Sequence, residues 1–115
     1  METEKKCRFS YNDLDDSLII SCREENENVK SNFLIDNFIF NLTGRGKIVG
    51  MQVKNVSRVL QENNVDSSIL KDISAVNLIV ARKENCLFIG LVIINGSKKA
   101  NIPLRVFMPP LLNQN

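Results

Sequence analysis

Three groupings in this chain combine residue types and spacings that chemistry can use. Asp13, Asp15 and Asp16 crowd one turn, and neighbouring carboxylates suit a hard cation such as Ca²⁺ or Mg²⁺. No turn glycine or distal glutamate follows at the offsets of an EF-hand loop, and an Asp-rich hairpin turn explains the same residues. Gly44-Arg45-Gly46-Lys47 sets two cations beside two glycines, a composition whose backbone N–H groups can cradle a phosphate. It lacks P-loop spacing and joins two strands instead of opening a helix, so a turn with solvated charges competes with that reading. Arg82-Lys83 and Lys98-Lys99 fall at hairpin ends, either the same end of the sheet or opposite ends. With Arg45, Lys47 and Arg105 they offer a patch for RNA or DNA. Against it, the formal charge is only +2, and no stacking aromatics are interleaved with these bases.

The chain contains no histidine. That removes Ser-His-Asp and Cys-His nucleophile activation and the usual His-containing zinc sites. Carboxylates such as Asp13, Asp16 or Asp36 remain for a small enzyme, but the acids cluster in a turn and not at scattered points that converge on a pocket. No catalytic residue, metal or cofactor is expected, and a non-enzymatic protein is the favoured class. Cys7, Cys22 and Cys86 are an odd number at wide spacings with no Cys-x-x-Cys pair. Free thiols in a reducing compartment are the simplest account. The N-terminus METEKKCRFS lacks an apolar core, and the densest apolar run, Cys86 to Ile94, is about half the length of a membrane span. A soluble cytoplasmic protein with no membrane contact follows.

The elements that must position these groups are mostly strands. With 115 residues and 43% apolar content, one domain with an aliphatic core is expected over 1–115. Residues 1–6 are charged and read as frayed. Cys7, Phe9 and Tyr11 alternate on one strand face, and Leu18, Ile20 and Cys22 on the next, across a turn of about five residues. Arg23–Asn32 is polar and reads as a mobile loop. Phe33 and Ile35 change phase against Phe38, Phe40 and Leu42, so Asp36-Asn37 is a two-residue turn or a bulge, with the turn favoured. Gly44-Arg45-Gly46 closes the next hairpin onto Ile48–Val53. Gly50 lies on the face opposite Val49, Met51 and Val53, where a missing side chain marks a close backbone approach. Asn55 or Ser57 caps a short helix carrying Val56, Val59 and Leu60, and a second helical turn from Asp66 or Ser67 buries Ile69, Leu70 and Ile73. Strands follow at Ala75–Arg82, Cys86–Ile94 and around Ala100–Val106. Pro103 puts the last at an edge, and Pro109-Pro110 ends regular structure.

The expected class is mainly β (α+β): antiparallel meanders of about seven or eight strands, with one or two short helices between the two β-rich halves. The meander of 66–108 packs on that of 7–62. Residues 1–36 hold nine acids and five bases, and 37–115 hold four acids and ten bases. That polarity favours head-to-tail docking or an acidic partner, or simply solvated edges.

Residues 11–60 resemble a small prokaryotic family catalogued as domain of unknown function 2283. The matching positions are Tyr11, Asp16, Leu18 and Ile20, then Gly46, Ile48, Gly50, Met51, Val53 and Ser57. Asn12, Asn41, Thr43 and Gln52 stand where members tend to carry acids, and residues 61–115 lie outside the match. The resemblance implies a small prokaryotic protein with an antitoxin-like binding role, because members are often encoded beside a small toxin-like protein.

Cys86–Ile94 is apolar at both parities and should be covered on both faces. If the monomer covers one face only, Leu87, Ile89, Leu91 and Ile93 meet another chain. If the helices cover it, the segment is internal core. The expected function is a protein-interaction module, either self-associating (a homo-oligomer, a dimer first) or capping a small partner protein. The alternative is a weak nucleic-acid binder using Arg45, Lys47, Arg82, Lys83, Lys98 and Lys99.

Overall fold

The computed structural model describes residues 2–84 and 86–107. Within them, eight antiparallel strands form one curled sheet: β1 (Glu2–Asn12), β2 (Ser17–Ser21), β3 (Ser31–Ile35), β4 (Phe38–Leu42), β5 (Ile48–Val53), β6 (Ala75–Lys83), β7 (Cys86–Asn95) and β8 (Lys98–Phe107). Their order across the sheet is β3-β4-β5-β2-β1-β6-β7-β8. Between β5 and β6 the chain forms α1 (Val56–Glu62) and a 3-10 turn (Ser67–Asp72). This is the mainly-β class with two short helices that the periodicity implies. The Pro109-Pro110 pair lies outside the described residues.

The two β-rich halves are not separate meanders laid on each other. They are joined edge to edge through β1, whose residues 2–7 pair with β6 and whose residues 8–12 pair with β2. The charged N-terminus, expected to fray, is therefore half of the connecting strand, with Thr3 opposite Val80 and Lys5 opposite Leu78. Main-chain pairing satisfies its N–H and C=O groups and orders it without an apolar face. Polarity alone could not reveal that.

Curling gathers the inner faces of both halves into one cluster. Leu18, Ile20, Phe40, Met51 and Val53 from the first half meet Val76, Leu78, Leu91 and Ile102 from the second. Val56, Val59 and Leu60 of α1, with Ile69 and Leu70 of the 3-10 turn, join the same cluster. β7 lies between β6 and β8, and β8 with its Pro103 is the edge. Leu87, Ile89, Leu91 and Ile93 are at most 1% exposed. These four side chains, a candidate contact surface in the sequence, instead lie in the chain's own core. Their register partners Val80, Leu78 and Val76 on β6 and Leu104, Ile102 and Ala100 on β8 continue the inner rows.

The cysteine expectation is overturned for two of three thiols. Cys7 and Cys22 are disulfide-bonded, and Cys86 is the free one. Arg8 pairs with Ser21, so Cys7 and Cys22 occupy the next cross-strand position, with Cα atoms 4.6 Å apart. A separation of 15 residues hid this pairing. Disulfides persist in oxidising surroundings, so cysteine usage no longer argues for a reducing compartment.

Turn chemistry accounts for the rest. Ile35 pairs with Phe38, so Asp36-Asn37 is the two-residue turn, with Asp36 at φ 51°, a region that Asp tolerates better than most residues. A bulge pairs Leu42 with Ile48 instead of Val49, which returns Ile48 to the inner face. The helix cap is not the one expected. Asn55 adopts φ 52° and makes no side-chain cap. Asp16, from the β1–β2 turn, receives the Ser57 N–H at 3.1 Å, the Ser57 hydroxyl at 2.8 Å and the Tyr11 hydroxyl at 2.9 Å. Partial burial, and then the hydrogen bond to Asp16, hold the Tyr11 phenol above its ordinary pKa.

Two stability outcomes follow from this packing. A Cβ on Gly50 would lie 2.9 Å from the Ile20 carbonyl oxygen and 2.7 Å from Asn41 Oδ1, whereas one on Gly90 meets nothing closer than Ile79 at 3.4 Å. Gly50→Ala should cost about 1–3 kcal/mol in urea unfolding and Gly90→Ala much less; equal losses would refute the close approach. Replacing both Cys7 and Cys22 by Ser opens the cross-link and should cost about 3 kcal/mol. Adding a reductant should lower the melting temperature of the native chain and leave that of the double variant unchanged.

Candidate functional site

β2 stops at Ser21, and the Cys22 N–H donates to the Val49 carbonyl at 2.8 Å. Beyond that point β1 runs on to Glu2 and the β4–β5 hairpin runs on to its turn, with β2 no longer between them. The interior therefore opens as a cleft of about 420 Å³, lined by Thr3, Lys5, Cys22, Arg45, Lys47, Ile48, Leu78, Val80 and Arg82. This volume lies within the range of about 300–1,000 Å³ usual for small-molecule sites.

Each wall follows from local structure. Thr3 and Lys5 share the parity of Cys7, and Leu78, Val80 and Arg82 share that of Val76, so all face inward from paired strands. The bulge turns Ile48 in from the opposite wall. Arg82 Nη2 donates to the Gly46 carbonyl, tying β6 to the β4–β5 turn across the opening. The cleft thus brings together Arg45, Lys47 and Arg82, which the sequence singled out, with Lys5, which it did not. The missed signal was the alternation Thr3-x-Lys5-x-Cys7, a strand pattern with polar residues at inward positions.

Two acids of the β2–β3 loop stand beside these cations. Glu24 lies 3.8 Å from Lys5 Nζ, and Glu27 forms an ion pair with Lys47. Glu27 also accepts the Glu24 N–H at 3.0 Å, so the loop expected to be mobile is tied at its middle. The Lys47 ammonium, and then the Glu24 N–H, hold the Glu27 carboxyl below its ordinary pKa; Glu27 in turn holds Lys47 above the usual lysine value. Both groups stay charged through neutral pH.

The other candidates do not assemble as the sequence allowed. In the GRGK turn, the Gly46 N–H donates to the Thr43 carbonyl at 3.0 Å and the Lys47 N–H to Thr43 Oγ1 at 3.2 Å. Those two donors are committed to the turn, so its cations act through their side chains. Lys98 and Lys99 begin β8 at the end of β7 opposite to Arg82 and Lys83, which splits the nucleic-acid patch in two. Lys83 has the parity opposite to Arg82 and is absent from the cleft lining.

Asp15 accepts the Ser17 hydroxyl while Asp16 caps α1, and no group of three metal-ligating side chains occurs among the described residues. Asp36 borders a different hollow, with Asn37, Arg58 and Glu62, that includes neither Asp13 nor Asp16. A hollow on the outer side of the β4–β5 turn shares Arg45 and Lys47 but has Asn26, Glu27, Asn28 and Lys30 for walls, without apolar carbon from the core. The cleft alone of these combines convergent cations with an apolar floor.

The Glu27 ion pair has a calculable pH response. A lowered folded pKa means that its contribution is complete above the ordinary carboxylate value of 4.5 and is lost as pH falls through the folded value. The NMR shift of the Glu24 amide should therefore follow a titration whose midpoint lies below 4.5. The same amide in Glu27→Gln should not follow this titration; an identical titration there would refute the link.

Compared with protein-family models, with curated proteins and with solved structures, the chain matches none.

Proposed function

We propose that this chain is a binding module that takes an anionic ligand into the basic cleft at the open end of its curled sheet. The observation that carries this reading is the convergence of Lys5, Arg45, Lys47 and Arg82 on one cleft from three separated parts of the chain. Glu24 and Glu27 offset part of that charge, and Arg45 supplies a planar fork suited to carboxylate or phosphate oxygens. Binding is favoured over catalysis because the site's carboxylates and its cysteine, the candidate base and nucleophile, are already engaged. Glu24 and Glu27 pair with lysines and Cys22 is in a disulfide, whereas a general base or nucleophile must be held within reach of a substrate.

Retention on a phosphate-bearing cation exchanger tests the assignment. Lys5→Gln with Arg45→Gln should elute at clearly lower salt than the native chain. Lys98→Gln with Lys99→Gln removes the same formal charge far from the cleft and should shift elution much less. Equal shifts would mean diffuse surface charge, the behaviour of a nonspecific polyanion binder, and would overturn the cleft as the site.

A further inference from the structure

The cleft is graded along its depth. Along β6 the inward side chains run from Val76 at 0% exposure and Leu78 at 2% to half-buried Val80 and exposed Arg82. On the facing wall Ile48 is 7% exposed, while Lys47 and Arg45 are exposed. Both walls therefore pass from carbon to cation in the same direction, outward from the Cys7–Cys22 disulfide. Lys5, opposite Leu78, is the exception at mid-depth. Its ammonium reaches Glu24, and its methylene stem is free to extend the apolar wall.

A purely inorganic anion would occupy the cationic rim and leave the deeper carbon in contact with water, which is unfavourable in proportion to the area left wet. None of the lining side chains is aromatic, so a nucleobase finds no aromatic stacking platform. We infer that the ligand is an amphiphilic anion. Its aliphatic body lies against Leu78, Val80, Ile48 and the disulfide, and its carboxylate or phosphate head is held at the rim by Arg45, Lys47 and Arg82. This assignment rests on the anion-binding reading and narrows it to one chemical class.

Titration calorimetry of the intact, oxidised chain with inorganic phosphate and with butyl, hexyl and octyl phosphate, each below its self-association concentration, tests the inference. Affinity should rise about fourfold per methylene until the apolar floor is filled, with an increasingly negative heat-capacity change. A parallel series of alkyl carboxylates should show the same slope. Val80→Thr, close in shape to the native residue, should flatten the chain-length dependence. Arg45→Gln should weaken every member by a similar factor. If phosphate binds as tightly as octyl phosphate, the amphiphile assignment falls and anion binding stands. If no member binds, both fall. An unchanged slope in Val80→Thr would place the aliphatic body elsewhere and overturn the assignment.

Discussion

The architecture depends on one strand serving two partners in succession. β1 pairs with β6 over residues 2–7 and with β2 over residues 8–12, so the two halves of the chain become one sheet and not two. The changeover falls at Cys7, where the disulfide to Cys22 fixes the two strands at the point where β2 ends. Because β2 is short and β1 is long, the sheet cannot be filled on the far side of that cross-link. The cleft is the geometric consequence.

Charge placement follows the same geometry. The acid-rich first third and the base-rich remainder are not left as opposite poles of the molecule. Glu27 of the early segment pairs with Lys47 of the later one, while Glu24 approaches Lys5. Part of the polarity that suggested head-to-tail docking is thus compensated within the chain. What remains is a cleft with four cations against two neighbouring acids. Electrostatic focusing by low-dielectric walls makes such a site attractive to anions even in a protein of small net charge.

Much of the fold was legible because it is written in local grammar. The alternation of Val76, Leu78 and Val80, the phase change at Asp36-Asn37, the missing side chain at Gly50 and the Pro103 edge are each dictated by pleat geometry or backbone sterics within a few residues. The helix cap was not legible. A carboxylate 41 positions earlier takes the role expected of Asn55 or Ser57, and no local rule addresses a donor and acceptor that meet only after folding. For the same reason the β7 residues were ambiguous: two-sided hydrophobicity requires cover but does not say which chain supplies it.

By itself, the amino-acid order determined the strands, their turns, the aliphatic interior and the exclusion of histidine chemistry, because these depend on side-chain type and short-range periodicity. Tertiary structure alone decided that polar residues 2–6 form a strand, that Cys7 and Cys22 meet, and that Lys5, Arg45, Lys47 and Arg82 share a cleft while Lys98 and Lys99 do not. These outcomes are set by strand order and relative strand length, which arise from long-range backbone pairing and leave no periodic trace in any single segment.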